Sequence, residues 1–357
     1  MKKASPDGIV DADVHPFILP HEVAARLPET WRIRLERYGM RPPVPGAIYP
    51  RMRNGGYRAD SWPEGSFPGN DVDLMIEQLL DRYGITSAVL IPLHAHAFGA
   101  EYPELAAALS EILNDWQEEK FLARDSRFVG SVCVPFETPS LAVGEIEARS
   151  GDPAFQQVLA PASTELQLGS SRYWPIYEAA CAAGLPVSVH SGGVATYPLT
   201  GPPNYYLEEH VEFSGAMQAV VISLILGGVF DRFPDLKVVL VEGGVSWAGP
   251  LMWSMDELHR TWHRDLPILS RAPSEYFREH FWLTTQPIEE PTRTADLVTA
   301  VRHTGMADRI LFASDYPHWD FDSPEHSLRG LPKALREKIF HRNAAGLYRS
   351  REKAVPA

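Results

Sequence analysis

Gly8-Ile9-Val10-Asp11-Ala12-Asp13-Val14-His15 is the stretch from which the fold is read, an apolar run that stops at groups able to bind a metal. In an extended strand alternate side chains share a face, so Asp11, Asp13 and His15 point the same way at the strand's end. Two carboxylates and an imidazole combine hard oxygen with borderline nitrogen donors. That set suits zinc, manganese or ferrous iron better than calcium or copper. Taken alone, the stretch also reads as a turn with a helix cap, because Asp and the following Pro16 are common turn residues.

The same arrangement recurs along the chain. Strand signals fall at Gly8 to Asp13, Ser87 to Pro92, Phe128 to Val134, Gln156 to Leu159, Pro186 to His190, Lys237 to Glu242, Phe281 to Thr284 and Ile310 to Ala313. Helix signals separate them. Asp71 to Gly84 carries an acidic first turn and a terminal glycine, and similar stops stand at Gly184 and Gly305. Eight such βα units predict a distorted (β/α)8 TIM barrel in one domain over residues 1–349, with an open doubly wound sheet as the other arrangement. Residues 16–70 form a long insertion after strand 1, expected to act as a lid, and Ser191 to Val211 form a second one. Residues 350–357 read as a loose tail.

Composition narrows the function classes. A chain of 357 residues with 45% hydrophobic and 22% charged residues has the balance of a globular protein with a large core. A net charge of −13 excludes the basic face of a nucleic-acid binder. Two cysteines, Cys133 and Cys181, build neither a disulfide framework nor a thiolate metal site. The start, Met1-Lys2-Lys3-Ala4-Ser5-Pro6-Asp7, breaks before any apolar stretch, so no secretory leader is expected. The apolar run Ala216 to Phe230 is too short for a membrane span, and a cytoplasmic location follows as the expectation.

Several strands end in a residue able to bind metal: Asp13 and His15 on the first, His94 and His96 on the second, His190 on the fifth, Glu242 on the sixth and Asp315 on the eighth. In a barrel those side chains converge on one mouth. Arg51, Arg53 and Arg58 in the first insertion are candidates to clamp a substrate carboxylate. Tyr197, Tyr205, Tyr206 and His210 in the second are candidates to line the same opening.

Asp11-Ala12-Asp13-Val14-His15, the strand-end His190, Gly228-Val229-Phe230-Asp231-Arg232-Phe233-Pro234, Glu242-Gly243-Gly244 and Ser314-Asp315-Tyr316-Pro317-His318 occur in an order that resembles the amidohydrolase superfamily. The likeness is greatest to the group containing aminocarboxymuconate semialdehyde decarboxylase and resorcylate-type decarboxylases. It spans nearly the whole chain. It implies a barrel with a divalent metal (Zn, Mn or Fe) held by Asp13, His15, His190 and Asp315, with Asp11 supporting from behind. Asp13 departs from the usual first-strand His, and Glu242 from the sixth-strand His, so Glu242 cannot act as an imidazole would.

Two mechanisms stay open at this point. In the first, one metal serves a hydrolase or decarboxylase acting on a small, carboxylated and possibly aromatic substrate, with Asp315, His190 and Glu242 as the catalytic set and Asp315 as general acid/base. In the second, Glu242 bridges two metals, with His94, His96 and His318 as further ligands, as in dinuclear iron or iron/manganese monooxygenases of the superfamily. A silent partner subunit with a structural metal is a third class. The resemblance also implies a homodimer or a hetero-oligomer with a homologue, for which Trp247 to Trp253 would offer an apolar face.

Overall fold

The structure, a computed structural model, describes residues 8–38, 56–99, 102–193, 205–262 and 269–348. Eight parallel strands lie in sequence order in one sheet: β1 (Ile9–Val14), β2 (Ile85–Leu90), β3 (Phe128–Val132), β4 (Phe155–Ser163), β5 (Val187–Gly193), β6 (Val238–Val241), β7 (Phe281–Thr284) and β8 (Ile310–Leu311). All eight expected strands are present. Their burial explains why they read as nearly continuous apolar runs, since parallel strands under crossover helices are covered on both faces.

The sheet closes through the chain that follows β8. Ala12 N donates to Phe312 O at 2.9 Å, Asp315 N to Asp13 O at 3.2 Å and His15 N to Tyr316 O at 2.7 Å. The open doubly wound arrangement is thereby excluded. Closure also fixes the chemistry, because it sets Asp315 beside Asp13 by main-chain bonds alone.

Several boundaries differ from the sequence reading, β2 running from Ile85 to Leu90 and β5 past His190 to Gly193. β4 runs on past Leu159 through Pro161, which lacks a donor, and the pairing with β5 shifts register between Pro161 and Ser163. β8 stops at Leu311 instead of Ala313, because the residues beyond it bond to β1 in the closing seam. The helix expected from Asp71 begins where its carboxylate accepts a bond from Leu74 N, then loosens into a π-helical turn over Ile76–Asp81.

The apolar stretch in the crossover from β5 to β6 begins before Ala216. Leu207–Leu226 has the length and composition to cross a membrane. In this fold the helix Tyr206–Leu226 covers β4 and β5 instead, with Met217, Val220, Val221, Leu224 and Ile225 buried.

Residues 56–70 of the first insertion are pinned to the chain after β8. Arg58 N donates to Pro317 O at 3.0 Å, Trp319 N to Gly56 O at 2.9 Å, and Tyr57 forms an antiparallel bridge with His318.

Candidate metal centre

The β1 alternation sends Ala12 and Val14 into the hydrophobic core, while Asp11, Asp13 and His15 occupy the other parity of the strand; all are buried. β5 repeats this, with Val187 and Val189 in the core and His190 on the opposite face. Glu242 and Asp315 arrive differently, each on the first turn after its strand. Their φ angles are 60° and 56°, in the left-handed region that non-glycine residues adopt at a cost of about 1–2 kcal/mol each. Strain of this kind concentrates where a side chain must be aimed.

Together these residues form two overlapping donor groups. Asp13, His15, His190 and Glu242 make one, and His15, Glu242, Asp315 and His318 the other; within each, the ligand atoms lie within 4.8 Å of one another. Donors about 2.1 Å from one ion stand at most about 4.2 Å apart, so small side-chain adjustments would bring either group onto a metal. His15 Nε2 is 3.0 Å from Asp13 Oδ1, 2.9 Å from Asp315 Oδ1 and 3.9 Å from Glu242 Oε1. His190 Nε2 is 3.5 Å from Glu242 Oε2 and 4.0 Å from Asp13 Oδ1.

Both imidazoles are oriented by the backbone. His15 Nδ1 donates to Ile91 O at 2.9 Å and His190 Nδ1 to Ser191 O at 2.8 Å. In the neutral ring this leaves the Nε2 lone pair facing the cluster, as metal ligation requires. The approaches of His15 Nε2 to the carboxylates lack hydrogen-bond alignment. Nε2 of both rings and both oxygens of Asp13 are buried with no hydrogen-bond partner. Buried polar atoms are ordinarily paired, so these unsatisfied atoms facing one point fit a cation.

The charges point the same way. Burial pushes the Asp315 carboxyl up to about 6, with His318 offsetting part of the rise. Burial would lower His15, yet the carboxylates of Asp13 and Asp315 outweigh it and raise His15 well above its usual value. For Glu242, burial acts upward, but His190, His15 and His318 hold it well below the usual carboxylate range. The excess negative charge that draws protons onto the imidazoles equally attracts a divalent cation, which displaces those protons.

A second layer holds the carboxylates. Asp11, buried and pushed by that burial up to about 7, accepts from Ser314 N at 2.9 Å and Asp13 N at 3.3 Å, joining β1 to the turn that carries Asp315. Ser191 Oγ donates to Glu242, and His318 Nδ1 contacts Asp315. Glu289 accepts from Val245 N at 3.0 Å and Ser246 N at 2.9 Å, clamping the loop that leaves Glu242.

Not every candidate joins the cluster. His94 stands at the N-terminal end of the short helix Ala95–Phe98 without a side-chain cap bond and belongs to neither donor group, and the side chain of His96 lies outside the described residues. Arg58 gives Nε and Nη2 to the two oxygens of Asp60 at 2.9 and 2.7 Å and lies 4.3 Å over the Phe321 ring, while its buried Nη1 has no hydrogen-bond partner among the described residues. Arg51, Arg53 and Tyr197 also lie outside the described residues. Tyr205 is exposed at the start of its helix, and the side chain of Tyr206 is not described. His210 pairs with Asp320 at 3.2 Å and meets the rings of Phe213 and Trp319. Trp247 packs inward on Phe277 and donates to Gly243 O at 2.6 Å, whereas Trp253 is exposed. Sequence reasoning missed Ser191, Glu289 and Tyr57. Ser191 adjoins the strand-end His190 and was the most accessible of the three; Glu289 carries no motif.

Comparison with known proteins defines the class. The amidohydrolase family matches residues 10–350, so the chain belongs to that family. It is an enzyme of the amidohydrolase superfamily with a buried metal-binding site. Gamma-resorcylate decarboxylase of Polaromonas sp. is 28% identical over 322 residues, covering 84% of this chain and 94% of the relative. Its counterpart from Rhizobium sp. is 27% identical over 312 residues, covering 81% and 91%. Among solved structures, a dihydroxybenzoic acid decarboxylase from Polaromonas sp. with bound manganese and 2-nitroresorcinol aligns with a TM-score of 0.65, 22% identity and 96% of each chain covered. The 5-carboxyvanillate decarboxylase of Sphingomonas paucimobilis aligns at 0.67 and 21%, covering 96% of this chain and 99% of that one.

Proposed function

We propose that the chain is a metal-dependent decarboxylase of a small aromatic carboxylate. The observation that carries this is the convergence of the Nε2 atoms of His15 and His190 with the carboxylates of Asp13, Glu242 and Asp315 at the C-terminal ends of the strands, the face on which barrel enzymes work. Relatives in the family that decarboxylate dihydroxybenzoates, one of them holding manganese, support it.

Asp13, His15, His190, Glu242 and Asp315 would hold the ion, with manganese the first choice. A bound divalent ion supplies positive charge that holds substrate oxygens and draws electron density from the ring. Asp315 Oδ1 holds the proton that replaces the departing carboxylate on the ring carbon. His318, at 17% exposure the most open member of the cluster, touches that oxygen and links it to the rim. His15 and His190, locked by main-chain carbonyls, would offer their Nε2 lone pairs to the ion and so stay out of proton transfer.

The test is loss of 2,6-dihydroxybenzoate absorbance together with carbon dioxide release by the manganese-loaded chain. Asp315→Asn is expected to abolish turnover while the protein remains folded; retained turnover would move the proton to another residue. One observation favours a second reading, a two-metal oxygenase: His15 and Glu242 belong to both donor groups, and His318 completes the second. Elemental analysis separates the two. One equivalent of metal supports the decarboxylase, and two equivalents including iron support the oxygenase.

A further inference from the structure

The centre is rich in acceptors. Asp13, Glu242 and Asp315 offer carboxylate oxygens, His15 and His190 offer lone pairs, and the Ser191 hydroxyl is already given to Glu242. An aromatic carboxylate brings more acceptors, so beyond the ion it needs hydrogen-bond donors at the mouth. Arg58 gives Nε and Nη2 to Asp60, and its remaining Nη1 is buried from solvent.

Tyr57 stands in the right place. Its ring lies 5.2 Å from that of His318, which lies 4.7 Å from that of His15, each pair tilted by 40°, so the three rings form a contiguous row leading into the cluster. The bridge with His318 fixes its backbone, while Phe67 at 5.0 Å and Trp62 at 6.4 Å meet the ring edge-on from the insertion side. The half-buried hydroxyl has no hydrogen-bond partner among the described residues, although His15 and Asp315 both act on it electrostatically.

We propose that Tyr57 is a specificity-determining residue that donates its hydroxyl hydrogen to an oxygen of the bound aromatic acid, its ring forming one wall of the substrate site. This rests on the decarboxylase reading. Tyr57→Phe keeps the ring, the row and the bridge and removes only the donor. The manganese-loaded enzyme is titrated with 2-nitroresorcinol, followed by its visible absorbance, and assayed with 2,6-dihydroxybenzoate. Loss of one hydrogen bond is expected to weaken 2-nitroresorcinol binding about tenfold and raise KM by a similar factor. The kcat, the manganese content and the melting temperature stay near those of the parent. Unchanged binding and KM in Tyr57→Phe, or a fall in kcat with binding intact, overturns the assignment while leaving the decarboxylase reading in place. A parent enzyme that neither binds nor turns over these compounds refutes that reading and the assignment with it.

Discussion

Removal of the Glu289 carboxylate tests whether the sixth-strand loop is held by one side chain. Its two oxygens accept from consecutive main-chain donors, Val245 N at 3.0 Å and Ser246 N at 2.9 Å, three and four residues beyond Glu242. Glu242 itself sits at φ 60°, a conformation the surroundings must enforce. Hydrogen bonds to a charged group are worth about 1.5–3 kcal/mol each. Glu289 is only half-buried, so water replaces part of what Glu289→Ala removes, and the net loss should be about 2–3 kcal/mol. For a chain of this size that lowers Tm by about 3–4 °C. Glu289→Gln keeps one acceptor and should lose about half as much. With Glu242 released, manganese affinity should fall at least about tenfold, as when the support behind a metal ligand is removed. Thermal unfolding of the metal-free protein reads the first effect and calorimetric metal titration the second. A Glu289→Ala variant with a Tm within about 1 °C of the parent and unchanged manganese affinity would refute the clamp.

Other outcomes follow from the same geometry. In the metal-free protein, Asp11 is raised to about 7 and Asp315 to about 6, and His15 and His190 are raised as well. Each then binds more protons folded than unfolded, so stability falls as pH rises from 5 to 8. The lowered Glu242 acts only below its ordinary range. Melting temperature against pH should show this decline in chelated protein and lose most of it on adding manganese; a flat chelated profile contradicts the charge assignment. Manganese at about one hundred times its Kd should stabilise the fold by about 2.7 kcal/mol, and Asp13→Ala should remove that gain in the same melting assay. Gly69→Ala would place a Cβ 2.3 Å from His15 O at φ +79°, so a loss of roughly 3 kcal/mol in urea unfolding, with weakened metal binding, is expected.

The barrel was legible because its strands are short, β-branched and buried on both faces, so each apolar run announces itself without knowledge of its neighbours. Strand-end residues were legible for the same reason. Once Val187 and Val189 face the core, His190 must face the other way, although β5 continues past it to Gly193. Legibility stopped where a side chain binds main chain far away in sequence. Glu289 caps a loop 43 residues upstream, and nothing in Ile288-Glu289-Glu290 marks it. Arg58 looked available as a carboxylate clamp because the sequence does not show that Asp60, two residues on, folds back onto it. His94 follows β2 by four residues and stands before the helix Ala95–Phe98, outside both donor groups of the described residues.

The bonds from His15 and His190 to Ile91 O and Ser191 O have an evolutionary consequence. Their acceptors belong to the main chain, so no point substitution deletes them. The nitrogen half of the centre is therefore insulated from mutation in its surroundings. The oxygen half is held by side chains, Asp11 behind Asp13, Ser191 on Glu242 and His318 on Asp315, each one replaceable by a single codon change. Divergence within such a scaffold has its freedom on the carboxylate side, where Asp13, Glu242 and Asp315 depend on replaceable neighbours.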